Sequence, residues 1–310
     1  MSSNTAPVTE TPEASARNGV LAALAAFSMW GFLPIYFKVT QHVPAFEILA
    51  HRIVWAIPFG VLIIVLRRQW PEVRRAIRHR RTLSLLIASS LFIAVNWFVY
   101  IWAVQQSQIF QASLGYYINP LMYVVIGVFL FGDTLRRVQI LAVVLATIGV
   151  GVLTFSGGQF PLISIVLATS FTFYGGIRKK TDVGAMPGLF IETSILLPLA
   201  LGYVIYIVNA GTAVFANNGT SDSLWLVLAG PLTVLPLLCF ALAARRLTLS
   251  TVGFMQFLAP TLQFIVGIAY GETLSTAHLI CFGFIWSAVL LFSLDAWRSS
   301  RVRVPVPQPG

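Results

Sequence analysis

Ten long apolar runs constrain this chain more than any other feature of its sequence. They fall at about 19–39, 46–66, 83–104, 109–131, 138–155, 161–177, 188–208, 223–243, 250–270 and 277–297. Each is close to the roughly 20 mostly apolar residues a helix needs to cross a bilayer. The runs are continuous rather than alternating, which argues against the strands of a membrane barrel. With 57% hydrophobic and only 10% charged residues, the chain could not cover itself with polar surface in water. In hydrocarbon, backbone groups must find their partners inside the protein, and helices achieve this within one segment. The expectation is an all-α integral membrane protein with ten transmembrane helices.

The placement of charge gives an orientation. Apart from Lys38 and Arg52, every Lys and Arg lies in a terminal segment or in the connection after an even-numbered run. These are Arg17; Arg67, Arg68, Arg74, Arg75, Arg78, Arg80 and Arg81; Arg136 and Arg137; Arg178, Lys179 and Lys180; Arg245 and Arg246; and Arg298, Arg301 and Arg303. Basic loops stay on the cytoplasmic side, so both termini are expected inside. The same placement explains the net charge of +10 without nucleic acid. The arginine-rich loop after the second run would meet anionic lipid instead. Residues 1–18 read as a disordered cytoplasmic tail, without the basic start and short apolar core of a signal peptide. Residues 298–310 read as a second cytoplasmic tail.

An internal repeat divides the remainder into 19–155 and 156–297. Phe27-Ser28-Met29-Trp30-Gly31 matches Phe171-Thr172-Phe173-Tyr174-Gly175. Pro120 with Gly127 matches Pro260 with Gly267, and Gly132-Asp133-Thr134-Leu135 matches Gly271-Glu272-Thr273-Leu274. Ordered matches at a nearly constant offset of roughly 140 residues indicate a duplicated unit. Five helices per unit is odd, so the second copy enters from the opposite side. Inverted repeats of this kind place a solute site near the midplane of secondary transporters.

At this point the sequence resembles the EamA group of the drug/metabolite transporters, in particular its RarD-type permeases. The resemblance is carried by Trp30-Gly31, Tyr36-Phe37-Lys38, Val43-Pro44, Glu47-Ile48-Leu49-Ala50-His51-Arg52, Asn96-Trp97, Tyr100, and Trp102-Ala103. It continues in Leu114-Gly115-Tyr116-Tyr117-Ile118-Asn119-Pro120, Phe173-Tyr174-Gly175, Arg178-Lys179-Lys180, Gln256-Phe257 and Ala259-Pro260-Thr261. It implies a bacterial plasma-membrane permease or exporter of small organic solutes, metabolites or drugs. The name carries a loose association with chloramphenicol.

No catalytic or metal-binding constellation is visible. Cys239 and Cys281 lie inside apolar runs, and the four histidines are scattered. No Gly-x4-Gly-Lys-Ser/Thr loop is present, so nucleotide-driven transport and a bound cofactor are not expected. The expected partners are a small-molecule substrate and the lipid bilayer; the oligomeric state stays open. Attention therefore falls on polar groups inside the runs, which are costly there and mark transport paths. Trp30, Asn96, Tyr116, Asn119, Tyr174, Gln256 and Gln263 are the candidates for a substrate pathway. Gln256 and Gln263 are spaced to share a helix face around Pro260, a proline that frees a carbonyl. Glu47, His51, Arg52 and Glu192 are candidates for gating or coupling, with structural pairing as the competing reading for each. A membrane sensor or scaffold is the alternative function; the cytoplasmic loops are too short to hold a domain of their own.

Overall fold

The computed structural model describes residues 12–131, 136–156, 158, 160–247 and 249–302. These form twelve helices: α1 (Pro12–Val39), α2 (Ala45–Leu66), α3 (Trp70–Arg78), α4 (Arg80–Gln105), α5 (Ile109–Phe131), α6 (Arg137–Phe155), α7 (Leu162–Lys179), α8 (Ala185–Asn209), α9 (Thr220–Ala244), α10 (Leu249–Met255), α11 (Leu258–Ala269) and α12 (Thr276–Val302). No strand occurs among the described residues. Each apolar run lies on a helix or, for the ninth, on the pair α10 and α11.

Eight stretches are long and apolar enough to cross a membrane: Glu13–Val39, Ala45–Leu66, Arg80–Gln105, Arg137–Phe155, Ala185–Asn209, Thr220–Ala244, Thr251–Ala269 and Thr276–Asp295. Two of the ten runs, on α5 and α7, are not among them. α7 is short and carries Arg178 and Lys179 in its last turn, while α5 is apolar over most of its length. α7 packs on α4 and α5, and α5 also packs on α11. α7, whose polar side chains meet protein, can be less apolar than a helix facing the acyl chains. The remaining large contacts are α2 with α8 and α9, α1 with α9 and α11, and α6 with α12. Large apolar side chains such as Leu66, Phe155 and Leu199 point outward, as a lipid-solvated surface allows.

Three local features differ from the sequence expectations. Residues ahead of Gly19 are helical from Pro12, so the tail of 1–18 is described only in its last part, as helix; 1–11 lie outside the described residues. The C-terminal helix runs past 297 to Val302, and 303–310 lie outside the described residues. The arginine-rich connection after α2 is not all loop, because α3 forms within it. Pro71 stands in its first turn beside Glu72, and Arg75 and Arg78 close its last turn, which suits the helix dipole at both ends. Val73 and Ala76 are buried, and Trp70 meets Phe190 edge-on at 5.7 Å. Apolar residues spaced for a single turn-and-a-half face were hidden among arginines. The Gly132–Leu135 member of the repeat lies outside the described residues.

The ninth run breaks at Gln256-Phe257, between α10 and α11. Pro260 explains the break: it has no N–H to offer the carbonyl four residues earlier, at Gln256, and its ring crowds that carbonyl. Pro120 in α5 leaves its helix continuous.

Close helix approach depends on glycine at a few points. A Cβ on Gly230 of α9 would clash with the Trp55 carbonyl oxygen of α2, and backbone cannot yield as a side chain can. Gly176 has open space around it. Gly230→Ala should therefore lower the unfolding free energy in detergent by about 1–3 kcal/mol, as forced overpacking does. Gly176→Ala should melt like the parent protein. Equal melting temperatures for both variants would show that α2 and α9 are not held at this distance.

Candidate functional site

The interior polar residues gather into a string that crosses the bundle. Arg52 of α2 is 6% exposed. Its Nε donates to Thr233 Oγ1 of α9 at 2.8 Å, and its guanidinium lies over the Trp97 ring of α4, 4.3 Å from the centroid. Asn96, next to Trp97, donates through Nδ2 to the Leu167 carbonyl at 3.0 Å and to Ser170 Oγ at 3.1 Å, both on α7. Its Oδ1 accepts from the Tyr116 hydroxyl of α5 at 3.1 Å. Tyr116 in turn meets Tyr100 and Phe171 edge-on at 5.6 and 6.0 Å. Helices α9, α2, α4, α5 and α7 are thus joined through Arg52, Asn96 and Tyr116.

Asn119 lies one turn along α5, with Oδ1 3.1 Å from Thr172 Oγ1. The single proton of that hydroxyl is shared with the Ala168 carbonyl at 2.6 Å. Gln263 of α11 is buried and donates through Nε2 to the Trp30 carbonyl at 3.2 Å, while its Oε1 has no partner among the described residues. Trp30 itself is half-buried against Phe27 and Phe240. Gln256 is exposed at the break between α10 and α11, whereas Gln263 is buried. The seven-residue spacing does not bring the two amides together, because a shared face requires an unbroken helix and Pro260 breaks it.

The four ionisable candidates do different things. Glu47 accepts, at one oxygen, the N–H groups of Val214 at 2.8 Å and Phe215 at 3.0 Å, which fastens the α8–α9 connection to the start of α2. His51 Nδ1 accepts from Trp55 Nε1 at 3.2 Å; its ring lies against Phe215, and its Nε2 is buried without a partner among the described residues. Glu47 and His51 do not bond each other despite sharing a helix face. Glu192 of α8 is fully buried, accepts from Ser89 Oγ at 2.5 Å and from Tyr174 at 3.3 Å, and lies 3.6 Å from Arg178 Nε. Tyr174 therefore belongs with Glu192 rather than with Asn96. Of the four, only Glu192 has an ion-pair partner among the described residues, and the guanidinium of Arg52 meets no carboxylate within that distance.

Sequence reasoning passed over Thr233 and Ser89; for Glu192 it allowed a structural partner, which the structure supplies as Arg178. Nothing near Thr233 marks it except its place between Pro231 and Pro236. Glu272, which the sequence marks only as part of the repeated Gly271-Glu272-Thr273-Leu274 motif, accepts the Ile109 and Phe110 N–H groups at its two oxygens at 2.6 and 2.9 Å, capping the start of α5. No group of three or more His, Cys, Asp or Glu side chains able to hold a metal occurs among the described residues.

Fold and interior together define an all-helical, multi-pass membrane protein threaded by buried polar side chains. A model of the EamA-like transporter family matches residues 17–155. An uncharacterized transporter of Pseudomonas aeruginosa is 44% identical over 96% of this chain and 99% of its own. Protein RarD of Escherichia coli is 44% identical over 92% of this chain and 97% of its own. A solved crystal structure only 20% identical shares the fold, with a TM-score of 0.58 over 91% of this chain and 98% of that one. The chain belongs to the EamA-like transporter family and is a RarD-type member of it. It is a membrane transporter.

Removing one member of a buried ion pair strands the other. Glu192→Ala should cost about 3–5 kcal/mol of stability, since Arg178 is only 13% exposed at its side chain. The check is thermal or denaturant unfolding of detergent-solubilised protein; an unchanged melting point would mean the pair is not formed.

Proposed function

We propose that the chain is a secondary transporter of small organic solutes that works by alternating access between two inverted five-helix halves. The observation that carries this reading is the buried polar string from Thr233 through Arg52, Asn96 and Tyr116 to Ser170, which runs between the halves. Polar groups inside a membrane bundle are expensive and mark solute paths. Trp30, Asn96, Tyr116, Asn119 and Gln263 are the proposed lining of that path. Gln256 is assigned instead to the break in the ninth span.

The helix contacts support the repeat. Exchanging α1, α2, α4, α5 and α6 with α7, α8, α9, α10–α11 and α12, in order, turns the α1–α9 contact into α7–α4 and α1–α11 into α7–α5. The contacts α2–α8, α5–α11 and α6–α12 map onto themselves. On this reading all ten runs span the bacterial plasma membrane, with 19–155 and 156–297 as the repeats and both termini in the cytoplasm. Glu47 and Glu272 then both lie at the outer end, where each ties one half to the other. Their release would accompany opening to the outside. Solute or ion gradients would drive the cycle, and chloramphenicol belongs among the first solutes to try.

A sensor or scaffold is the competing function, and flux separates the two. Purified protein in liposomes should exchange labelled solute down a gradient. Asn119→Leu should reduce that flux several-fold while the protein still folds, because single interhelical hydrogen bonds in membranes are worth only about 0.6 kcal/mol. Normal flux in that variant removes Asn119 from the path. For topology, a cysteine placed at Asn217 should react with an impermeant reagent from outside, and one at Arg75 should not. Reaction at both positions refutes the ten-span arrangement.

A further inference from the structure

The carboxylates buried or half-buried near span ends are already engaged: Glu47 with two backbone N–H groups, Glu192 with Ser89, Tyr174 and Arg178, Glu272 with the start of α5, Asp222 with His42 and Asp295 with Arg136. None of them neutralises Arg52. The guanidinium spends its π face on Trp97 and its Nε–H on Thr233. Its terminal nitrogens, with four N–H donors, have no acceptor among the described residues. Tyr36, Tyr100 and Tyr116 lie within electrostatic reach of it. Tyr36 donates to the Trp225 carbonyl and Tyr116 to Asn96, but the buried Tyr100 hydroxyl has no partner among the described residues. The place thus offers a positive charge and several unused donors between aromatic rings, with phenolic oxygens nearby but no carboxylate to balance the charge. A planar carboxylate matches the two terminal N–H groups of a guanidinium as a two-pronged acceptor.

We propose that Arg52 is the anchor for a carboxylate on the transported solute, with the Tyr100 hydroxyl as an added donor and Trp97, Tyr36 and Tyr116 around the solute's aromatic or apolar body. This rests on the transporter reading and narrows its substrate class to organic acids. Stacking on Trp97 holds the guanidinium plane still, so its free edge is ready to accept a ligand with little reorganisation. Thr233 ties the same side chain to α9, in the other half of the chain, so a bound acid would be sensed by both halves.

The test uses purified full-length protein and pairs of acids with their neutral amides, beginning with 3-phenylpropionate and 3-phenylpropionamide, then shorter aliphatic pairs. The readouts are thermal stabilisation and tryptophan fluorescence. The acid of at least one pair should act at concentrations ten-fold or more below its amide. Arg52→Gln should abolish that preference, Arg52→Lys should keep part of it, and Tyr100→Phe should weaken it a few-fold. If no acid outperforms its amide on the wild-type protein, the proposal is wrong, whether or not the Arg52 variants fold. A preference that survives Arg52→Gln also overturns it. A preference for acids in binding, without flux in liposomes, upholds the anion site and sinks the transporter reading. Flux of neutral solutes alone does the reverse.

Discussion

Hydrocarbon offers no hydrogen-bond partner, so every backbone group exposed by a helix end or a proline must find one within the protein. Much of this structure is the answer to that requirement. α2, α4, α8 and α11 close on the same pattern: the N–H of the second residue past the cap returns five residues back, as from Gln69 to Ile64, Gln108 to Ala103, Thr212 to Ile207 and Glu272 to Gly267. The preceding residue takes positive φ, at Arg68, Ser107, Gly211 and Gly271. Glycine suits that conformation, and Arg68 and Ser107 hold it where the chain must turn sharply into the next helix. At helix starts the carboxylates do the same work, Glu272 for α5 and Glu72 for the Gly184 N–H that precedes α8.

Side chains obey the same rule, and that is why the interior polar residues are informative. Asn96 uses both ends of its amide to join three helices, and Ser113 reaches the Pro260 carbonyl in the broken ninth run at 2.8 Å. Groups left over after such pairing stand out because pairing is otherwise so thorough. The leftover atoms in the spans include His51 Nε2, the Tyr100 hydroxyl, Gln111 Oε1 and Gln263 Oε1. A protein that binds and releases a polar solute needs such unspent capacity, since a fully satisfied interior has nothing to offer one.

The helices were legible in the sequence because span length and apolarity are properties of a segment taken alone. The burial of Arg52 was legible for the same reason: six residues into an apolar run leaves little else. Partnerships between distant segments were not. Glu192 could be expected to find a basic partner, but its Ser89 and Tyr174 contacts depend on α4, α7 and α8 meeting at one level. α3 escaped notice because its two buried residues, Val73 and Ala76, are too few to make a periodic pattern among arginines. Gln256 and Gln263 pair only by counting along a helix that Pro260 interrupts; the proline is visible in the sequence, but whether it breaks a helix is decided by packing, and Pro120 leaves α5 continuous.

Glu47 and Glu272 share a trait with consequences for how this protein can change over evolutionary time. Both carboxylates grip main-chain N–H groups, not side chains, at Val214, Phe215, Ile109 and Phe110. Any residue other than proline supplies the same donor. The grip itself therefore places no demand on side-chain identity at these four positions, where only the packing of buried Ile109, Phe110 and Val214 does, while the two glutamates cannot change without losing it. Methods that infer contacts from correlated substitutions have nothing to detect at such junctions, although each one fastens the first half of the chain to the second.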